Sequence, residues 1–183
     1  MKNTTDPDWG QALREGAVSG SLASLLSFAA LAWAGRRQAG SATAPINAAS
    51  QWLWKGEALR QDEPTLRHTL TGYAIHHGAA TMWGVLHARF WGTQPENKRP
   101  VPALAGAAAA TAVAALVDFK LTPERFTPGF QHRVSTGALV GAYACFALGI
   151  ALGSMAMRER ARRRQAQEEF DEAVGQGDGA DIL

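Results

Sequence analysis

Four stretches of this chain contain no aspartate, glutamate, lysine or arginine: residues 16–35, 69–88, 101–117 and 134–157. Each approaches or exceeds the roughly 20 helical residues, at ~1.5 Å rise per residue, that cross a hydrocarbon core. A helix on a water-soluble protein needs polar side chains along its outer face, and these runs lack charges all round. The pattern predicts an all-α integral membrane protein, an antiparallel four-helix bundle with spans at about 16–35, 69–91, 101–118 and 134–157. A segment of residues 1–13 precedes the bundle, and a charged tail, 158–183, follows it. The basic part of that tail can continue the fourth helix, and its glycine-containing end is expected to be disordered. The third run, VPALAGAAAATAVAALV, is too alanine-rich to insert well alone, but suits a helix buried among others.

The connections carry their own signals. Residues 36–68 are too long for a bare turn between helices. Pro45 can open a helix, and Ile46, Ala49, Trp52 and Leu53 follow at spacings of three and four. With Trp52 and Trp54 suited to a membrane-water boundary, the segment reads as a short interfacial helix in the first connection, lying on or dipping into the outer interface, with a substrate-gating loop as the alternative. The connection DFKLTPERFTPGFQHR, with two prolines and a glycine, predicts ordered turns.

Packing is read from small residues. Gly137, Gly141, Cys145, Gly149 and Gly153 recur every four residues along the fourth span, and shorter series mark the others: Gly16, Gly20 and Ser24; Gly72, His76, Ala80 and Gly84; Ala103, Ala107, Thr111 and Ala115. Such stripes let helices approach until dispersion contacts supply the attraction that lipid cannot. The helix-packing residues expected on the fourth span are Gly137, Gly141, Gly149 and Gly153.

Composition sharpens this picture in three ways. A mean hydropathy of −0.14 averages apolar runs with polar connections, and a formal charge of +2 gives no reason to expect a nucleic-acid partner. An Ala32-Trp33-Ala34 motif after the first run resembles a signal-peptidase site, but acidic residues before it and Arg36 and Arg37 after it favour an uncleaved helix. With the N-terminus inside, ten basic residues lie on the inner side (Lys2, Arg14, Arg89, Lys98, Arg99 and the five arginines of RERARRR) against eight outside. The cluster directly after the last span is the strongest anchor and places both termini in the cytoplasm. Fourteen arginines against four lysines fit a GC-rich bacterial coding bias, hence a bacterial inner membrane.

Candidate chemistry centres on GYAIHHGAATMWGVLHARFW, residues 72–91. His76 belongs to the small-residue face, and His87, eleven residues on, returns to that face about 16 Å along the axis. The topology brings His76, His77, Asp118 and His132, with Glu124, to the outer side beneath Trp52 and Trp54. Imidazole and carboxylate together suit a transition metal or a proton relay, and buried polar packing is the plainer reading of the same groups. No H-E-x-x-H motif or di-iron E-x-x-H pair is present. Haem is disfavoured because the first, third and fourth spans lack histidine, leaving His132 as a second ligand at the outer end alone. Cys145, the single cysteine, sits in an apolar run where a thiol is inert.

The blocks PINAASQWLWKGEA, TLTGYAIHHGAATMWGVLHARFWG and VDFKLTPERFTPGFQHR together resemble small proteobacterial inner-membrane proteins, and the layout is distantly similar to the YagU-like inner-membrane family. The resemblance implies four spans and brings no catalytic residue with it. Proteins of this kind often carry histidine after the serine of the first block, where this chain has Gln51, which weakens a metal reading built on that loop. Three functions follow. A non-enzymatic membrane protein, a small subunit or stabilising partner of a larger assembly or homo-oligomer in the lipid bilayer, comes first. A metal- or cofactor-binding membrane enzyme using the outer histidines and Asp118 comes second, and a small transporter requiring oligomerisation third.

Overall fold

A computed structural model describes residues 8–178; Lys2 and the end of the tail lie outside them. The described residues form helices and turns, with no strand. Helix α1 spans Trp9–Gln38, its first turn closed by the Asp8 carboxylate accepting from the Gly10 N–H. Two short helices follow, α2 (Ala44–Ala49) and α3 (Gln51–Ala58). The 17-residue α4 (Thr71–His87) is extended at both ends by π-helical turns, Leu66–Leu70 and Ala88–Gly92. Helix α5 (Pro100–Leu116) runs into a third π-helical turn, Val117–Leu121, and α6 (Thr136–Asp178) continues about 20 residues past Met157, the end of its uncharged run. Three helical segments are long and apolar enough to cross a membrane: Trp9–Gln38, Pro100–Leu121 and Thr136–Ala173.

Helix α1 is the centre of the packing, touching α4 on one side and α6 on the other, while α5 rests mainly on α6. Its buried face is Ala12, Glu15, Gly16, Ser19, Gly20, Ala23, Ser24 and Ser27, ending in Leu31 and Ala34. These residues recur at the three- and four-residue intervals that hold one side of a helix. Their smallness sets the approach: a Cβ at Gly20 would lie 2.5 Å from Thr81 Cα, and one at Gly84 would lie 2.6 Å from the Gly16 carbonyl oxygen. Many of the larger apolar side chains point the other way. Leu25, Trp33, Met82, Val113, Val140 and Leu148 are exposed, around an interior rich in glycine, alanine and serine. That inversion of the usual core is what helices need when lipid, not water, covers them.

The glycine series on α6 divides. A Cβ at Gly149 or Gly153 would come within 2.4 Å of the Ala23 or Ser19 backbone, whereas Gly137 and Gly141 face open space. The cause is helical geometry: each step of four residues overshoots a full turn by about 40°, so a series from 137 to 153 drifts roughly 160° around the axis. Only its C-terminal half reaches α1. Accordingly, Gly149→Ala and Gly153→Ala should each destabilise the protein by roughly 1–3 kcal/mol. Gly137→Ala and Gly141→Ala should stabilise it by roughly 0.5–1 kcal/mol through helix propensity alone. Thermal unfolding of the four variants in detergent checks the opposite signs.

The first connection also departs from expectation. Pro45 is the second residue of α2, and every residue of α2 is buried, so this part of the segment is a plug inside the protein, while Trp52 and Leu53 of α3 stay exposed. Three glycines make room for it: Gly35 against Pro45, Gly72 against the Ile46 carbonyl, and Gly129 against the Ala48 carbonyl. Gly129 also needs its left-handed φ of 79°. Asn47 meets the polar needs of the buried segment. Its Nδ2 donates to the carbonyls of Gln61 and Glu63, each at 3.0 Å, and its Oδ1 accepts from Thr69 Oγ1 at 2.7 Å.

Candidate functional site

Because α4 and α5 meet only sparsely, the helices leave a gap between them. A partly open cavity of about 70 Å³ occupies it, lined from α1 (Ser27, Leu31), α4 (Ile75, His76, Ala79, Ala80, Trp83), the α5 segment (Ala114, Asp118) and α6 (Ala142, Tyr143, Phe146). The connections roof it with Ala49 and Trp52 on one side and Phe126, Pro128 and Phe130 on the other. The roof is held together. Trp52 Nε1 and Gln51 Nε2 donate to the Thr127 carbonyl at 3.3 and 2.8 Å, and the rings of Trp52 and Phe126 meet edge to face at 5.9 Å.

Two polar arrangements interrupt the apolar wall. On the α5 side, Tyr143 OH donates to Asp118 Oδ2 at 2.6 Å. Asp118 belongs to the π-helical turn closing the α5 segment, a distortion often found at functional positions. On the α1 side, His76 Nε2 lies 3.2 Å from the Ser24 carbonyl oxygen and 3.1 Å from Ser27 Oγ. A carbonyl only accepts, so the ring proton sits on Nε2 and, in the neutral ring, Nδ1 is left as an acceptor. Ser27 Oγ in turn donates to the Ala23 carbonyl at 2.6 Å, and Phe130 packs edge-on to the His76 ring at 5.6 Å.

Of the four residues proposed as metal ligands, the cavity joins His76 and Asp118 and leaves out the other two. His77 stacks on Tyr73 at 5.7 Å, and its buried Nδ1 has no hydrogen-bond partner among the described residues. His132 is exposed beside the Gln131 amide. Among the described residues no three histidine, cysteine, aspartate or glutamate side chains are grouped to hold a metal ion. Trp52 is in the roof as expected, whereas Trp54 turns to the Arg67 carbonyl and the edge of His68. Sequence reasoning missed Tyr143, Trp83 and Phe130. A lone phenol in an otherwise apolar span was the available signal for Tyr143, since a buried hydroxyl implies a partner.

A second polar cluster lies toward the other end of α1. Glu15 and Lys98 form a buried ion pair, Nζ to Oε1 at 2.6 Å, and Gln11 Nε2 donates to the same oxygen at 2.9 Å. His87 is buried nearby, its Nε2 without a hydrogen-bond partner among the described residues.

No known protein family, curated protein or solved structure matches this chain.

Proposed function

We propose that this chain is a non-enzymatic integral protein of the bacterial inner membrane that works by binding a small amphiphilic molecule. In this reading α4 with its π-helical ends is a fourth span, completing an antiparallel bundle with both termini in the cytoplasm. The observation that carries the function is the roofed cavity in the α4–α5 gap: it has the mostly apolar lining with a few convergent polar groups of small-molecule sites. Its hydrogen-bond donors are engaged, Tyr143 OH with Asp118 and His76 Nε2 with α1, which suits recognition better than bond making. Small interior residues and large exposed apolar ones support the membrane placement. The exposed Arg160, Arg162, Arg163 and Arg164 beyond the apolar part of α6 support the cytoplasmic C-terminus.

Native mass spectrometry of the detergent-purified protein tests the binding. Wild type should carry or take up a small amphiphile, and Ala79→Trp, which fills the cavity, should not. A folded wild type that binds none of a panel of such molecules would sink the proposal.

The face of α6 carrying Gly137 and Gly141 favours a second reading alongside the first, as a subunit of a larger membrane assembly or a homo-oligomer. Both glycines are exposed, with Val140, Ala144 and Leu148 beside them. Bulky substitutions there, Gly137→Leu with Gly141→Leu, should shift the size on a blue-native gel while leaving the fold intact. An unchanged, monomeric size would count against it.

A further inference from the structure

We infer that the ligand of the α4–α5 cavity is an amphiphilic organic cation, an ammonium head on an aromatic or branched apolar body; this rests on the binding function proposed above. The first support is charge. Among the described residues Asp118 is the only carboxylate in the lining, and no lysine or arginine lines the cavity with it. Tyr143 OH occupies Oδ2, and Oδ1 has no hydrogen-bond partner among the described residues. A carboxylate in apolar surroundings calls for a cationic partner, and the protein does not place one there.

The second support is the direction of the hydrogen bonds. The Tyr143 hydroxyl is spent on Asp118, the His76 Nε2–H on α1, and the Trp52 Nε1–H on Thr127. What the titratable groups still offer is acceptors, Asp118 Oδ1 and the Nδ1 of a neutral His76, so the complementary ligand is a donor or a cation. The third support is the aromatic wall. Trp52, Trp83, Phe130 and Phe146 line the same cavity as the acidic group, and Phe126 already carries the Arg125 guanidinium over its ring at 5.4 Å; aromatic linings of this kind attract ammonium ions, most when desolvated. The same inventory argues against the headgroup of a zwitterionic phospholipid, because no basic side chain is in the lining to take its phosphate.

An isosteric pair of probes tests the charge directly: benzyltrimethylammonium, and neopentylbenzene, in which the quaternary nitrogen is replaced by carbon. Binding to the full chain in an uncharged detergent is followed by saturation-transfer NMR and by tryptophan fluorescence. The cation should bind at least about tenfold more tightly than its neutral isostere, and Asp118→Asn should remove that preference. Thermal unfolding establishes whether Asp118→Asn is folded. Should it fail to fold, Tyr143→Phe replaces it: freeing Oδ2 should strengthen cation binding and leave the neutral probe unchanged. Equal binding of both probes, displaced by Ala79→Trp and indifferent to Asp118, would overturn the cation assignment while the cavity's binding role stood. Displacement of the cation by phosphatidylcholine at comparable concentration would assign the site to a lipid headgroup and overturn it too. Binding of neither probe to folded wild type would overturn the assignment, and if the amphiphile panel also failed, the binding role with it.

Discussion

Lys98→Met should destabilise the protein by about 3–5 kcal/mol, and adding Glu15→Leu to the same chain should recover most of that loss. The pair is 2.6 Å apart, and both side chains are less than a tenth exposed. Charges removed from water to that extent have lost their hydration, and their mutual attraction is the compensation. Removing the ammonium leaves the Glu15 carboxylate on α1's buried face, with the Gln11 amide as its remaining hydrogen-bond donor among the described residues. The two single substitutions should not be equal. Lys98 sits at the end of the 3₁₀ turn Pro95–Lys98, next to the exposed Arg99, so on losing Glu15 its flexible stem can carry the charge out to water. Glu15 projects from the buried face of a long helix and has no such escape. Glu15→Leu should therefore cost less than Lys98→Met, and the double variant should approach wild type. Thermal or denaturant unfolding of the three proteins in one detergent gives the cycle. Additive losses in the double variant would mean that the pair is not coupled.

This pair shows what could and could not be read from the chain. Absence of charge is enough to locate the three long apolar helices, Trp9–Gln38, Pro100–Leu121 and Thr136–Ala173, because a single uncharged segment of that length satisfies its own backbone polar groups as a helix. The sequence conveys the level of a residue along a helix better than its direction around it. His76 and His77 share a level, but neighbouring residues point about 100° apart, and only His76 reaches the cavity. For the same reason the glycines of α6 were grouped together although the first two face away from α1. Asp118 and His76 line one cavity, a proximity that the order of the helices along the chain already suggests. Tyr143 is not suggested in this way, because pairing a phenol with that carboxylate depends on the rotation of α6 against α5. Lys98 looked like one more loop cation, and its partner lies 83 residues away, beyond the reach of any local pattern.

The burial of α2 was hidden for a related reason, and it leads to the other large expected effect. Gly72→Ala, ordinarily a mild change that favours helix, should destabilise this protein by about 3 kcal/mol or more. A Cβ at that position would lie 1.9 Å from the Ile46 carbonyl oxygen and 2.9 Å from its carbon. Both are backbone atoms of a helix packed on its other sides against Gly35 and Gly129, so no side chain can rotate to relieve the overlap. The α2 plug must move outward, and the displacement separates Asn47 Oδ1 from Thr69 Oγ1, 2.7 Å apart in the native packing. It also lifts the roof from the cavity, because Ala49 and Trp52 follow directly in the chain. The expected signature is thus local before it is global. Trypsin should cut Gly72→Ala within the first connection, at Lys55 or Arg60, under conditions that leave wild type intact, and the variant should also lose probe binding at the cavity. Wild-type protease resistance together with an unchanged unfolding temperature would show that α2 does not depend on this contact. If instead cleavage rises while cavity binding persists, α2 is clamped by Gly72 but does not support the site, and the roof must be held by the Trp52, Gln51 and Thr127 contacts alone.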